Sequence, residues 1–315
     1  MSTVTVVTPS HGRFDRLRAC VESVVASNPV PGGIDMVVVT SGYNKAELEE
    51  LDGLGCRVID VGLPVSTSMS RNLGAESSIG DYLLFLDDDN TVAQDAIWRL
   101  WHSLSSWPDA AEVGPAMYYG SDRERIWCAG VSRTRLLMKT TFRQQLPPVL
   151  PDRLPSDDFP NCFMVRRTDF NAIGGFDAEH FPQHMEEADL ARRLMGAAGG
   201  RVYTVASARV WHYIDKQLAS RLHMRDPERA YFCARGRAVF TAIYGDRLQW
   251  ATYVVVGQWL FTLLYLGATL SMSSDMRIGI FRGYIRGLFS GLADGWHIRG
   301  TMPFVRAGSS VHSSD

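Results

Sequence analysis

The stretch Leu83-Leu84-Phe85-Leu86-Asp87-Asp88-Asp89-Asn90 joins four apolar residues to three carboxylates. An apolar run without polar alternation marks a strand covered on both faces, as in a parallel sheet between helices. The segments upstream repeat the pattern. Thr3–Thr8, closed by Pro9, Ile34–Val39 and Cys56–Val61 are β-branched or apolar runs, and Tyr82–Leu86 is the fourth. Between them, Leu17, Cys20, Val21, Val24 and Val25 recur at helical spacing, and Lys45–Leu54 and Ser68–Ser78 read as further helices. Strand–helix alternation predicts an α/β fold with a mostly parallel sheet flanked by helices. Such sheets take ligands outside the carboxyl ends of their strands, which is where Asp87–Asp89 fall.

Past residue 110 the strands shorten to Glu112–Tyr119, Ile126–Val131 and Cys162–Val165, and a helix is expected over Gln94–Ser105, capped by Asn90 or Thr91. The Pro- and Asp-rich Leu146–Pro160 reads as a surface loop or lid. A helix over Glu187–Ala198 ends at Gly199-Gly200 and leads to strands reaching Tyr213. The boundaries drawn are a catalytic domain over 1–215, a helical region over 216–307 and a disordered tail over Gly308–Asp315.

Composition narrows the class. The chain has 315 residues, 46% hydrophobic and 21% charged, with a formal charge of −2, so it is globular and lacks the basic excess of a nucleic-acid binder. Five widely spaced cysteines without a C-x-x-C pair point to a reducing compartment, neither a disulfide framework nor a zinc site. The opening MSTVTVVTPS reads as a core strand, not a signal peptide.

Each chemical candidate has a bland alternative. Three adjacent carboxylates fit a hard divalent cation bridging to phosphate oxygens, or an acidic turn. Glu186-Glu187-Ala188-Asp189 opens a helix, so its acids are either macrodipole caps or a general base. His212 closes a strand and is either an ordinary buried histidine or a ligand suited to a Mn²⁺-type site. Ser70-Arg71-Asn72-Leu73-Gly74 is either a polar helix start or a contact to diphosphate or sugar.

Taken in order from Thr3 to about Tyr213, these segments resemble family-2 glycosyltransferases of the GT-A fold. Thr5–Arg13 is similar to the family's opening strand and nucleotide loop, and Ser70–Gly74 to its Ala-Arg-Asn-x-Gly. Gly80-Asp81-Tyr82 followed by Asp87 and Asp89 resembles the Asp-x-Asp element, and Ile173-Gly174-Gly175-Phe176-Asp177 the Gly-Gly-Phe-Asp turn. Glu186–Leu190 resembles Glu-Asp-x-Asp-Leu, and Trp211-His212 the metal-completing histidine.

The resemblance implies Glu187 as base, beside Glu186 and Asp189, with Asp87, Asp89 and His212 around Mn²⁺ or Mg²⁺. It places Pro9, Ser10, Arg13, Thr40, Arg71, Asn72, Asp87 and Asp88 against the nucleotide-diphospho-sugar donor. Thr40 stands where the family carries an Asp, with Asp60 as a substitute. Glu187 replaces the usual Asp, one methylene longer, a shift of about 1.5 Å. The Gln-x-x-Arg-Trp element of processive synthases is absent, which favours single-sugar addition.

The implied reaction is inverting transfer to a hydroxyl of a glycan or polyprenyl-linked acceptor, of the rhamnosyltransferase type, in cell-surface polysaccharide assembly. A metal-dependent nucleotidyltransferase or phosphohydrolase, and a non-catalytic membrane-anchored binding module, are the alternatives. A membrane surface is the further expected partner. Lys216–Arg247 reads as a charged helical segment. The 26 residues Gln249–Ser274 carry no charge and as a helix would reach ~39 Å, unless Gly257 or Gly267 breaks them. Arg277–Arg299 spaces arginines among Ile, Phe and Tyr like an interfacial helix. Peripheral or monotopic attachment at the cytoplasmic face is expected.

Overall fold

The first four apolar runs become β1 (Val4–His11), β2 (Ile34–Ser41), β3 (Arg57–Asp60) and β4 (Tyr82–Leu86), separated by α1 (Phe14–Val25), α2 (Lys45–Gly53) and α3 (Thr67–Glu76) in a computed structural model. It describes residues 3–151, 153–214, 226–271 and 276–301. These strands lie parallel in the order β3-β2-β1-β4. Local chemistry starts the helices: Asn44 and Glu47 form a reciprocal capping box on α2, and the Ser66 hydroxyl accepts from the Met69 N–H on α3. β1 continues past Pro9 to His11. Its partner β4 ends opposite Val7, so Pro9 falls on a strand with one side open, where a missing N–H is tolerated.

The second half completes a ten-stranded sheet. β5 (Asn90–Val92) and α4 (Ala96–Ser106) follow the three aspartates. Then come β6 (Ala110–Tyr119), β7 (Asp122–Cys128), β8 (Val131–Arg133), β9 (Thr140–Phe142), β10 (Leu154–Ser156) and β11 (Cys162–Arg166). α5 (Arg167–Ala172), α6 (Glu186–Ala198) and β12 (Arg201–His212) follow. β6 and β12 are parallel to one another, but β11 lies between β4 and β6 antiparallel to both, so the parallel order is interrupted there. The core beside β4 is aromatic: Phe85 packs on Phe163, Phe170 and Phe176 at centroid distances of 5.3, 5.3 and 5.0 Å.

Three expectations are corrected. Asn90 and Thr91 do not cap α4; they form β5, which pairs antiparallel with the end of β12 and sets His212 opposite Asn90. The segment Leu146–Pro160 is no free lid. Its β10 is hydrogen-bonded to β12, and Phe159 is fully buried with its ring on Gly114. The strand expected over Ile126–Val131 is broken by Gly130 at φ 115°, a conformation open to glycine, into β7 and β8.

The chain divides into two compact units: Met1–Ser132, Thr141–Ala178 and Glu186–Ile214 form the first, and Arg133–Thr140, Glu179–Met185 and Asp215–Asp315 the second. The second contains α7 (Pro227–Tyr244), α8 (Arg247–Thr252), a π-helical turn (Tyr253–Gly257), α9 (Gln258–Leu270) and α10 (Arg277–Thr301). Neither glycine breaks the apolar stretch: Gly257 closes the π turn and Gly267 lies inside α9. The rod Arg247–Leu270 is long and apolar enough, by length and composition, to cross a membrane.

The face of α10 that packs combines Ile280, Tyr284 and Leu288, the Tyr284 ring stacked on Tyr265 at 4.1 Å, with a row of glycines. Gly283, Gly287 and Gly291 lie against the backbone of Pro227, Tyr231 and Arg235 on α7, where an added Cβ at Gly291 would stand 2.7 Å from the Arg235 oxygen. Ala230, Ala234, Ala238 and Ala242 of α7 are buried at the same four-residue interval, so small side chains on both helices allow close approach. Ile278, Phe289 and Trp296 stay exposed. The charged segment expected over Lys216–Arg247 is described only from 226 onward. Residues 216–225, the end of the apolar stretch at 272–274 and the tail 308–315 lie outside the described residues.

Candidate active site

The end of β4 delivers its three aspartates to three different environments. Asp87 turns to Arg71 of α3, whose Nη2 donates to Asp87 Oδ1 at 2.8 Å. The same guanidinium donates to Glu187 Oε1 from Nη1 and Nη2, both at 3.0 Å, and its Nη1 stands 3.6 Å from Glu186 Oε1. Arg71 is 1% exposed and lies 5.4 Å from the Phe176 ring. One buried cation thus holds the acid at a strand end and the two acids at the start of α6. Burial pushes Glu186 and Glu187 above the usual carboxylate range, and the Arg71 charge only partly opposes it.

Asp88 is fully buried and points inward. Its oxygens take Arg13 Nη2 and the Ser10 hydroxyl, which also meets Tyr43 OH at 2.6 Å. Burial raises the Asp88 pKa to about 7, against the lowering effect of Arg13. Tyr43 OH accepts from the Arg13 N–H at 3.0 Å, so Tyr43, Ser10, Asp88 and Arg13 form one cluster behind the mouth.

Asp89 faces His212: Oδ1 lies 3.4 Å from His212 Nε2, and Oδ2 accepts from Arg13 Nη1 at 3.1 Å. Burial alone would raise the Asp89 pKa, but His212 and Arg13 hold it well below the usual range. The β5–β12 register makes the pair, and Tyr213 N donates to Asp89 O at 2.9 Å. His212 is 5% exposed, 3.1 Å from Asn161 Nδ2 and 4.3 Å from the centre of the Trp127 ring. Asn161 sits at φ 66° and also accepts from the Asp87 N–H at 2.9 Å. A strained residue braced from both sides is a common feature of functional sites.

The donor set fits a divalent cation in part. Asp89 and His212 are adjacent, one oxygen and one nitrogen, and diphosphate oxygens and water would fill the remaining positions of a Mn²⁺ or Mg²⁺ ion. Among the described residues no group of three or more His, Cys, Asp or Glu is arranged to hold a metal ion by itself. Asp87, assigned to the cation from the motif, is held by Arg71 instead.

Four other candidates have partners within the protein. Arg71 is 1% exposed and meets Asp87, Glu186 and Glu187. Asn72 is occupied in a two-point clamp on Phe176, donating to its O and accepting from its N–H, both at 2.9 Å. Asp189 is paired with Arg193, whose Nε lies 2.8 Å away and whose Nη1 donates to the Ile173 and Gly175 carbonyls. Asn72 and Asp189 therefore hold the Gly174-Gly175 turn, at φ 77° and 73°, beside Arg71. Thr40 is 0% exposed, with its hydroxyl directed at the Ile59 carbonyl 3.5 Å away inside the sheet, while Asp60 accepts from the Gly62 N–H in a turn. Pro9 lies on β1 beyond the end of β4, next to Ser10.

Sequence reasoning missed Tyr43, Asn161 and Trp127. The Pro160-Asn161 pair before an apolar strand is a turn signal that could have drawn notice to Asn161. All five cysteines are buried and unpaired.

The model for glycosyl transferase family 2 matches residues 5–174, more than half of the chain, and the chain belongs to that family. It is 28% identical over 199 residues to the N-acetylglucosaminyl-diphospho-decaprenol L-rhamnosyltransferase of Mycobacterium tuberculosis, covering 55% of this chain and 63% of that one. It is 27% identical over 233 residues to the glucosyl-dolichyl phosphate glucuronosyltransferase of Haloferax volcanii, covering 67% of this chain and 68% of that protein. The crystal structure of GalNAc-T7 with UDP, GalNAc and Mn2+ superposes with a TM-score of 0.63 at 17% identity, over 90% of this chain and 54% of that one. The fold is thus GT-A. The chain spans less than two thirds of the rhamnosyltransferase and about half of GalNAc-T7.

Proposed function

We propose that the protein is an inverting, divalent-cation-dependent glycosyltransferase. It moves one sugar from a nucleotide-diphosphate sugar to a hydroxyl of a glycan or polyprenyl-linked acceptor, in cell-surface polysaccharide assembly. The observation that carries this reading is the Arg71 bridge, which brings Asp87 and Glu187 onto one guanidinium although 100 residues separate them in the chain.

Asp89 and His212 would hold the cation, which when bound neutralises charge on the departing diphosphate as a Lewis acid. Arg13, whose side chain is 40% exposed, is the guanidinium at the mouth placed to meet diphosphate oxygens. Asp88 and Ser10 hold Arg13 there. Glu187 takes the proton from the acceptor hydroxyl. Its burial raises its proton affinity toward that of a useful base, and Arg71 fixes its orientation. A base opposite the leaving group implies in-line displacement, hence inversion at the anomeric carbon.

The two curated relatives carry decaprenol and dolichyl phosphate in their names, which supports a polyprenyl-linked acceptor. The rod Arg247–Leu270 supports membrane association, and in this reading the attachment is peripheral or monotopic at the cytoplasmic face. The test is turnover of a panel of nucleotide sugars by the full chain. One donor is expected to be consumed with Mn²⁺ or Mg²⁺ present and spared after chelation. Consumption of none, or consumption indifferent to chelation, contradicts the reading.

A further inference from the structure

We propose that the C-terminal unit holds a binding site for the phosphate of a lipid, built on Arg237. This deepens the lipid-linked, membrane-attached reading above and rests on it. Arg237 lies on α7 with its guanidinium carbon 4.0 Å from the centre of the Phe261 ring of α9. Among the described residues its Nη1 is buried without a hydrogen-bond partner, and its Nη2 reaches the Cys233 sulfur at 4.0 Å. The groups whose charge it feels are the Cys233 thiol and the phenols of Tyr265, Tyr284 and Tyr253, with no carboxylate among them. The neighbouring arginines of α7 differ: Arg229 pairs with Asp226 and Arg235 with Asp294.

A guanidinium does not give up its proton, so burial leaves a charge that must be balanced. Stacking on Phe261 offsets part of that cost. Among the described residues no anion stands beside Arg237. A planar fork ringed by phenol hydroxyls suits the tetrahedral oxygens of a phosphate.

The surroundings say what carries the phosphate. Between Arg247 and Leu270 there is no other charge, and Val255, Val256, Trp259, Leu263, Leu264 and Leu270 are 47–68% exposed along the outer side of the rod. The inner side, with Trp250, Tyr253, Phe261 and Tyr265, is buried. Lipid can therefore cover the outer face of the rod while its inner face packs on protein. The ligand is an amphiphile with an alkyl chain and a phosphate head. A polyprenyl phosphate acceptor and a bilayer phospholipid share that chemistry.

The experiment measures thermal unfolding of the full chain in neutral detergent with a short-chain polyprenyl monophosphate or the matching polyprenol. Sedimentation with phosphatidylcholine vesicles, with or without phosphatidylglycerol, runs alongside. The phosphate form should raise Tm and the polyprenol should not. Arg237→Met should melt higher than wild type without ligand and bind the responding phosphate about tenfold or more weakly. A loss confined to the polyprenyl phosphate marks the acceptor as the source, and one confined to phosphatidylglycerol vesicles marks the bilayer. No difference between phosphate and polyprenol in wild type, together with vesicle binding unchanged in Arg237→Met, overturns the proposal. If Arg237→Met does not fold, the wild-type comparison of phosphate with polyprenol decides alone. Nucleotide-sugar turnover, measured separately, shows whether the transferase reading survives either result.

Discussion

Glu187→Gln is expected to slow transfer by about 10²–10⁴-fold while leaving donor binding intact, the range for removal of a general base. The substitution keeps the shape, and the amide oxygen can still accept from Arg71, which now donates to Glu187 Oε1 twice at 3.0 Å. Only proton acceptance is lost. Glu186→Gln provides the control. Glu186 is further from Arg71, at 3.6 Å, so its loss should be felt less. The pH dependence has a definite sign. Burial raises the Glu187 pKa, and a base works only when ionised. Turnover should therefore fall as pH drops through a value above the ordinary ~4.3 of a glutamate. Single-turnover rates across pH, with donor affinity measured in parallel, check both points. A Glu187→Gln enzyme that transfers sugar normally removes Glu187 from the role of base.

The second large effect is on stability. Arg71→Met removes the one cation among the described residues that meets Asp87, Glu186 and Glu187 together. Breaking a buried ion cluster on one side costs about 3–5 kcal/mol, because the remaining charges stay buried and uncompensated. Arg71→Lys should recover only part of this, since a single ammonium cannot reproduce the fork. The loss should shrink as pH falls. Once Glu186 and Glu187, whose proton affinity burial raises, take up protons, the missing cation matters less, whereas at neutral pH the variant must bury their charge or neutralise it. Denaturant midpoints of wild type and both variants at two pH values test this. A loss in Arg71→Met that does not change with pH would mean packing on Phe176, not charge, is what Arg71 supplies.

The strands and their carboxyl-end acids were legible because both are local: an apolar run and the residues after it. The pairing of Asp89 with His212 depends on β5, three residues long, whose Asn90 and Thr91 look like helix caps in isolation. Only its pairing with β12 reveals it as a strand. Asn72 and Asp189 lie within segments that resemble family motifs, and both also serve the Gly174-Gly175 turn. Asn72 clamps Phe176, 104 residues on, and Asp189 holds Arg193, which donates to Gly175 O, so this role shows only once the chain has folded. Thr40 stands, by resemblance, at the family's second-strand position and is sealed inside the sheet. In α10 the pattern of Ile, Phe and Tyr marks Ile280 and Tyr284 correctly, but it gives no hint of the glycine row beside them that lies against α7. Small residues give no hydropathy signal and matter through what they let approach.

The most direct measurement is Mn²⁺ binding, followed by electron paramagnetic resonance, in the presence of a nucleoside diphosphate, for wild type, Asp89→Ala, His212→Ala and the double variant. Each single substitution is expected to weaken the ternary complex by about tenfold or more. The double variant should be weaker by less than the sum of the two, as for ligands of one ion. Wild-type strength in either single variant would contradict a cation held between β4 and the end of β12.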